Sequence, residues 1–232
     1  MDFRNQASWG PGVAAQDAFV QARLEMVEHQ IRRRGISDPQ VLRAMAEVPR
    51  HEFVPEALQP HAYEDAPLPI GGGQTISQPY IVAAMTAALR LRPSDRVLDV
   101  GTGCGYQSAI LSRIVAEVHS IEVRRDLALT AAERLARLGY SNVHVHYGDG
   151  TRGVPEFAPF NGILVAAAAP SVPPPLVDRL AEGGRMILPV GAPDHQQLIL
   201  MTRRGNSFEK TQLEPCQFVP LIGEHGWREP LF

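Results

Sequence analysis

Residues 97–106 read VLDVGTGCGY, and the reading of the fold turns on them. Val97, Leu98 and Val100 make a short buried strand. Gly101, Gly103 and Gly105 then turn the chain into a helix, and glycines there let a ligand approach the backbone where a Cβ would collide. The spacing is G-x-G-x-G. A dinucleotide fingerprint is G-x-G-x-x-G, so the third glycine comes one residue early and the pattern speaks against a pyrophosphate.

Downstream, strands and helices alternate. EVHSIEV (117–123), NVHVHY (142–147), GILVAAA (162–168) and RMILPV (185–190) read as strands. Residues 105–115, 125–138 and 173–181 read as helices, the last ending at Gly183-Gly184. This order predicts a mainly parallel, doubly wound α/β sheet. QQLILMTRR (196–204) and FEKTQLEP (208–215), split by Gly205-Asn206-Ser207, instead predict a C-terminal antiparallel hairpin.

Upstream, Val20, Leu24, Val27 and Ile31 recur at helical spacing and predict an amphipathic helix. Arg32, Arg33 and Arg34 fall in its last turn, where cations oppose the helix dipole, and Gly35 caps it; the run reads as a solvated helix end. Ser37 with Gln40 predicts a capping box for a second helix that stops at Pro49. Residues 49–80 read mostly as loop, with a short helix near 55–62, and a helix follows over about 80–90. Residues 1–14 are expected as a flexible tail. Residues 15–232 form a single domain: N-terminal helices and a site loop (15–80), a cofactor-binding core (81–190), and C-terminal strands with a covering segment (191–232).

The 232 residues are 44% apolar and carry a net charge of -3. That supports a sizeable core and lacks the basic excess of a nucleic-acid binder. Cys104 and Cys216 form no CxxC pair, so a reducing compartment is the default. No signal pattern opens the chain and no apolar run could cross a bilayer. A cytoplasmic protein that contacts neither nucleic acid nor membrane is expected; the oligomeric state is not readable.

Three acids flank the glycine turn. Glu122, followed by Val123, stands 21 residues past Gly101, where a carboxylate can accept both hydroxyls of a ribose. Asp149, in Gly148-Asp149-Gly150, can accept from the exocyclic amine of adenine. Asp99 could meet a cationic group. Three carboxylates repel a pyrophosphate and suit a ligand with an ammonium and a sulfonium, so S-adenosylmethionine fits and NAD fits less well. His144 and His146 alternate on one strand face and read as structural; no metal site is expected.

VLDVGTGCGYQSAIL, PLPIGGGQTISQPYIVA and VAAAAPSVPPPLVDRLAEGGRMILPVG together resemble the protein-L-isoaspartate O-methyltransferase family, with support from MVEHQIRRRGI, VPRHEFVP and FVPLIG. The resemblance runs from about Met26 to Gly223 and is most specific at QTISQP and AAAAP. It implies a Rossmann-like, class I S-adenosylmethionine-dependent methyltransferase with added N-terminal helices. It implies methyl transfer to the α-carboxylate of L-isoaspartyl residues in damaged proteins and peptides, initiating repair. It also implies that Ser77 is the active-site residue and binds the acceptor carboxylate. Gln74, Thr75, Ile76 and Ser77 are then expected to line the cofactor with Asp99, Gly101, Thr102, Gly103, Glu122, Val123, Gly148, Asp149 and Gly150. The resemblance likewise implies that Val219, Pro220 and Leu221 fold over the acceptor peptide. A second reading has Ser77 capping the helix that starts near Pro79, and the two roles are compatible. Two other activities stay open: a related carboxyl methyltransferase acting on aspartate in one dedicated peptide, and a nicotinamide oxidoreductase. Before the strand at Ile163 the family has Asp where this chain has Asn161.

Overall fold

The computed structural model describes residues 11–228, with side chains from residue 17 onward. Seven strands form the central sheet: β3 (Arg96–Val100), β4 (Glu117–Glu122), β5 (Val143–Tyr147), β6 (Phe160–Val165), β7 (Leu180–Ala192), β8 (His195–Arg204) and β9 (Ser207–Cys216). Their order is β5-β4-β3-β6-β7-β8-β9. The first five run parallel, with Val97 beside both Val118 and Gly162; β8 and β9 continue as an antiparallel meander. Val97 to Val100 are buried on both faces, as a strand covered by helices on two sides requires. From β3 the chain steps outward through β4 and β5, then returns to β6 on the other side. The crevice at that reversal lies between the ends of β3 and β6, where Ala166 N–H donates to Val100 O at 2.8 Å.

The sheet matches the expected class and departs from it in detail. The last crossover helix, α6, is only Pro174–Asp178. Leu180 already starts β7 opposite Phe160, while Arg185 faces Gly162, so residues 181–184 bulge. Gly183-Gly184 therefore marks a strand irregularity and not a helix stop.

The N-terminal third packs over one side of this sheet. Residues 1–10, most of the expected tail, lie outside the described residues, and helix α1 (Pro11–Met26) already covers the remainder. A π turn over Val27–Ile31 and a 3₁₀ turn over Arg32–Arg34 follow. Gly35 ends the run in the left-handed region, with its N–H on Arg32 O at 3.0 Å. The wide turn changes the phase of the apolar stripe. Val20 and Leu24 are 44% and 48% exposed, while Met26, Val27 and Ile31 are buried. Helix α2 (Pro39–Glu47) is capped by Asp38 and not by Ser37: Asp38 Oδ1 accepts from Gln40 N at 2.9 Å and from Val41 N at 3.3 Å. Residues 50–53 and 56–61 are 3₁₀ turns.

A hairpin then stands where loop is expected: β1 (Leu68–Gly71) pairs antiparallel with β2 (Gln74–Ile76). The glycine triplet is its turn, with φ of 97°, 57° and 71° at Gly71, Gly72 and Gly73. Three successive left-handed residues are a conformation that only glycine adopts without strain. Helix α3 (Pro79–Leu89) follows at once, so Ser77 sits between a strand and a helix.

Candidate active site

The glycine turn joins β3 to helix α4 (Tyr106–Ser112) and is tied down mainly to the end of β4. Gly101 N and Thr102 N donate to Ile121 O at 2.9 and 3.3 Å, and Gly105 N donates to Thr102 O at 2.8 Å. Gly103 N donates to Glu122 Oε2 at 2.8 Å, and Glu122 Oε1 accepts from Arg124 N at 3.0 Å. These donors are spent within the protein, largely on the end of β4, and a carboxylate stands beside them. The turn is therefore no anion cradle.

A cavity opens over the turn. Val100, Ile121, Val123, Leu221 and Ile222 give it apolar walls, and Gln74 to Ser77 of the hairpin segment close another side. Glu122, 6% exposed, is a carboxylate set among apolar groups. An acceptor for a diol, apolar slabs for a purine and the lack of a phosphate cradle together fit S-adenosylmethionine. Ten of the expected cofactor residues line this cavity: Gln74, Thr75, Ile76, Ser77, Gly101, Thr102, Gly103, Glu122, Val123 and Gly150. Val219, Pro220 and Leu221 line it too.

Three expected cofactor residues do not. Asp99 is fully buried beneath the turn, where Oδ2 accepts from Ser108 Oγ at 2.5 Å and Oδ1 has no partner. Burial pushes its carboxyl up to about 7; the Ser108 bond opposes this and the Glu122 charge adds to it. With no exposed surface, Asp99 cannot touch a ligand directly. Gly148 and Asp149 line a neighbouring surface depression instead. Asp149 Oδ1 accepts from Thr151 N and Oγ1 at 2.9 and 2.7 Å, and Oδ2 accepts from Glu224 N at 2.8 Å. Burial alone would raise this carboxyl; the donors from Glu224 and Thr151 outweigh it and hold the carboxyl below its usual range. A Cβ at Gly223 would overlap Asp149 Oδ1, so glycine permits this clamp on the C-terminal segment.

A second cavity adjoins the first through a shared wall of Thr75, Ser77, Ala166, Phe218 and Val219. Its own lining includes Arg34, Pro67, Gln78, Tyr80, Glu214 and Gln217. Ser77 is half-buried in the shared wall. Among the described residues its hydroxyl has no hydrogen-bond partner. Gln78, not Ser77, holds the N-cap position of α3 and makes no side-chain cap bond, so the capping reading falls away. The segment over the cavities is fastened to the alanine run after β6: Ala168 N donates to Val219 O and Leu221 N to Ala168 O, each at 2.8 Å. Trp227 Nε1 also donates to Ala168 O at 2.9 Å.

Sequence reasoning missed several lining residues. Arg34 lies in a run that reads as solvated, yet it reaches Asp65, 31 residues away, at 2.9 Å and stacks over Tyr80 at 3.5 Å. Arg124 lines the first cavity and packs against Gly72, where a Cβ would stand 3.3 Å from Nε. Neither contact has a local sequence signal. His144 and His146 belong with His119, which is buried, stacked on Phe157 at 4.1 Å and 3.1 Å from His146. Burial pushes the His119 imidazole down to about 4. Among the described residues no group of three or more His, Cys, Asp or Glu could hold a metal ion.

The family model for protein-L-isoaspartate(D-aspartate) O-methyltransferase matches residues 21–226. A protein-L-isoaspartate O-methyltransferase of Roseiflexus castenholzii is 55% identical over 209 residues, 90% of this chain and 95% of that one. One of Methanoculleus marisnigri is 53% identical over 206 residues, 89% of this chain and 94% of that one. Among solved structures, a putative protein-L-isoaspartate O-methyltransferase from Plasmodium falciparum, in complex with S-adenosyl-L-homocysteine, superposes with a TM-score of 0.75 at 28% identity. It covers 86% of this chain and 98% of that one.

Proposed function

The chain belongs to the protein-L-isoaspartate O-methyltransferase family, and from that premise we propose that its two joined cavities divide one reaction between them, with Ser77 at the boundary. The activity is methyl transfer from S-adenosylmethionine to the α-carboxylate of L-isoaspartyl residues in damaged proteins, which initiates repair. The cavity over the glycine turn takes the cofactor, and the cleft beyond Ser77 takes the isoaspartyl segment. The observation that carries this assignment is the uncommitted Ser77 hydroxyl in the wall common to both.

When bound, S-adenosylmethionine supplies a methyl group on a positively charged sulfur. The acceptor carboxylate, which ordinarily titrates at about 3.5, is already ionised at pH 7 and needs no general base. The five residues of the shared wall include neither acid nor base. Ser77 Oγ donates to one acceptor oxygen and orients the carboxylate. Glu122 accepts from a diol and sets the cofactor's depth, while Phe218 and Val219 keep water from the shared wall. Such positioning can supply roughly 7–11 kcal/mol of the barrier. Asp149 holds the covering segment in place through Glu224 N. The free thiols of Cys104 and Cys216 support a reducing, cytoplasmic setting. No described helix is long and apolar enough to cross a membrane.

The test is Ser77→Ala on an isoaspartyl peptide and its aspartyl twin. Turnover on the isoaspartyl peptide should fall about ten- to a hundredfold, the worth of a hydrogen bond to a charged group. Cofactor affinity should stay within about twofold, since the lost bond is to the acceptor. Near-wild-type turnover removes Ser77 from the reaction, and equal turnover of the aspartyl twin by the unaltered enzyme removes the isoaspartyl specificity.

A further inference from the structure

The three successive arginines after α1 do different things. Arg32 Nε and Arg33 Nε pair with Glu28 of their own segment, at 3.6 and 3.3 Å, on open surface. Arg34 crosses to another part of the molecule: its Nη1 donates to Asp65 Oδ2 at 2.9 Å, and its guanidinium lies over the Tyr80 ring at 3.5 Å. It is still 42% exposed at the side chain and lines the acceptor cleft whose wall includes Ser77. Among the described residues, its only hydrogen-bonding partner is Asp65, so Nε and Nη2 keep their donors. The loop that anchors it is itself tied to the site, because Gln78, next to Ser77, donates to Asp65 O at 3.1 Å.

A guanidinium held on one side by a carboxylate and on its face by an aromatic ring loses little freedom when it binds a second anion. The acceptor's own α-carboxylate is claimed by Ser77, in the wall toward the cofactor. The anion that Arg34 meets is then carried by a neighbouring residue of the peptide. Glu214 also lines this cleft, so it carries both signs of charge.

Resting on the division of the cavities proposed above, we infer that Arg34 is a specificity-determining residue that selects isoaspartyl segments with an acidic side chain beside the damaged residue. The outer cleft thus reads the sequence around the damage, while Ser77 reads the damage.

Three isoaspartyl peptides that differ only in one flanking residue, glutamate, glutamine or lysine, test this, with the glutamate moved to either side in turn. The wild-type enzyme should favour the glutamate peptide over the lysine peptide in kcat/KM by about two- to fivefold, the scale of a half-exposed ion pair, with the difference in KM. Arg34→Glu should invert that order. Asp65→Asn, which takes away the carboxylate that holds Arg34 in place, should narrow the preference. If Arg34→Glu fails to fold, judged by thermal melting and cofactor binding, Arg34→Gln must still flatten the preference. An unchanged glutamate-to-lysine ratio in a folded Arg34 variant overturns the inference. Loss of all three peptides by the unaltered enzyme would instead overturn the assignment of the cleft.

Discussion

The cofactor cavity takes its floor from the ends of β3 and β4 and from one ten-residue stretch, whose backbone donors are taken by Thr102 of the turn and by Ile121 and Glu122 at the end of the adjacent strand. The proposed acceptor cleft takes residue 34 from the end of the first helical segment, 67 and 75–81 from the hairpin region, 166 from the end of β6, and 214–219 from the end of the last strand and beyond. The floor of the first is a local structure that the sheet imposes, and residues 74–77 and 218–222 complete it. The second has no such floor and exists only when distant segments meet. A fixed cofactor site beside an assembled acceptor site suits an enzyme with one cofactor and many different damaged chains.

Glu122→Ala should separate the two halves most sharply. If Glu122 accepts from both ribose hydroxyls as proposed, its loss should cost roughly 3 kcal/mol, or about a hundredfold in cofactor Kd, and peptide KM should change by less than about threefold. Calorimetry for the cofactor with steady-state kinetics for the peptide checks this; equal losses in both would erase the distinction. Asp149→Ala should act across the boundary, because the segment it clamps lines both cavities. Both cofactor Kd and peptide KM should rise about three- to tenfold. A loss confined to the cofactor would show the carboxylate reaching the adenine itself.

The smallest effect concerns stability. Asp99 holds its proton up to about 7 in the folded protein, against an ordinary 3.8, so between those values the native state binds more protons than the unfolded chain. Stability is therefore lost as pH rises toward and through 7, by on the order of 1 kcal/mol between pH 6.5 and 8. His119 slopes the other way, but below this range: its imidazole, pushed down to about 4, loses stability as pH falls through 6.5. Urea melts should show the decline above pH 6.5 in the wild type and not in Asp99→Asn; the same decline in both would place its source elsewhere.

What could be read in the sequence follows the same division. The glycine turn, Glu122, the parallel strands and the β8–β9 hairpin all depend on contiguous residues and their periodicity. Ser37 and Asp38 are both good caps; Pro39, whose fixed φ suits the first helical position, makes the residue before it the cap. Gly183-Gly184 punctuates a helix or a strand equally well, and only the pairing of Leu180 with Phe160 decides. The role of Asp149 rests on donors up to 75 residues away and that of Arg34 on a partner 31 away, so no local pattern records them. Ser77 is legible only through resemblance, and its place in a wall shared by two cavities needs the tertiary structure.

The position of residues 218–222 in the chain has a consequence for when activity can arise. They roof the cofactor cavity and, through Phe218 and Val219, the acceptor cleft, and they leave the ribosome after every strand of the sheet. A growing chain that has finished β9 already has its glycine turn and Glu122, but neither of its cavities is closed. Such a chain, or a copy clipped after Cys216, should show no turnover until residues 218–222 are in place.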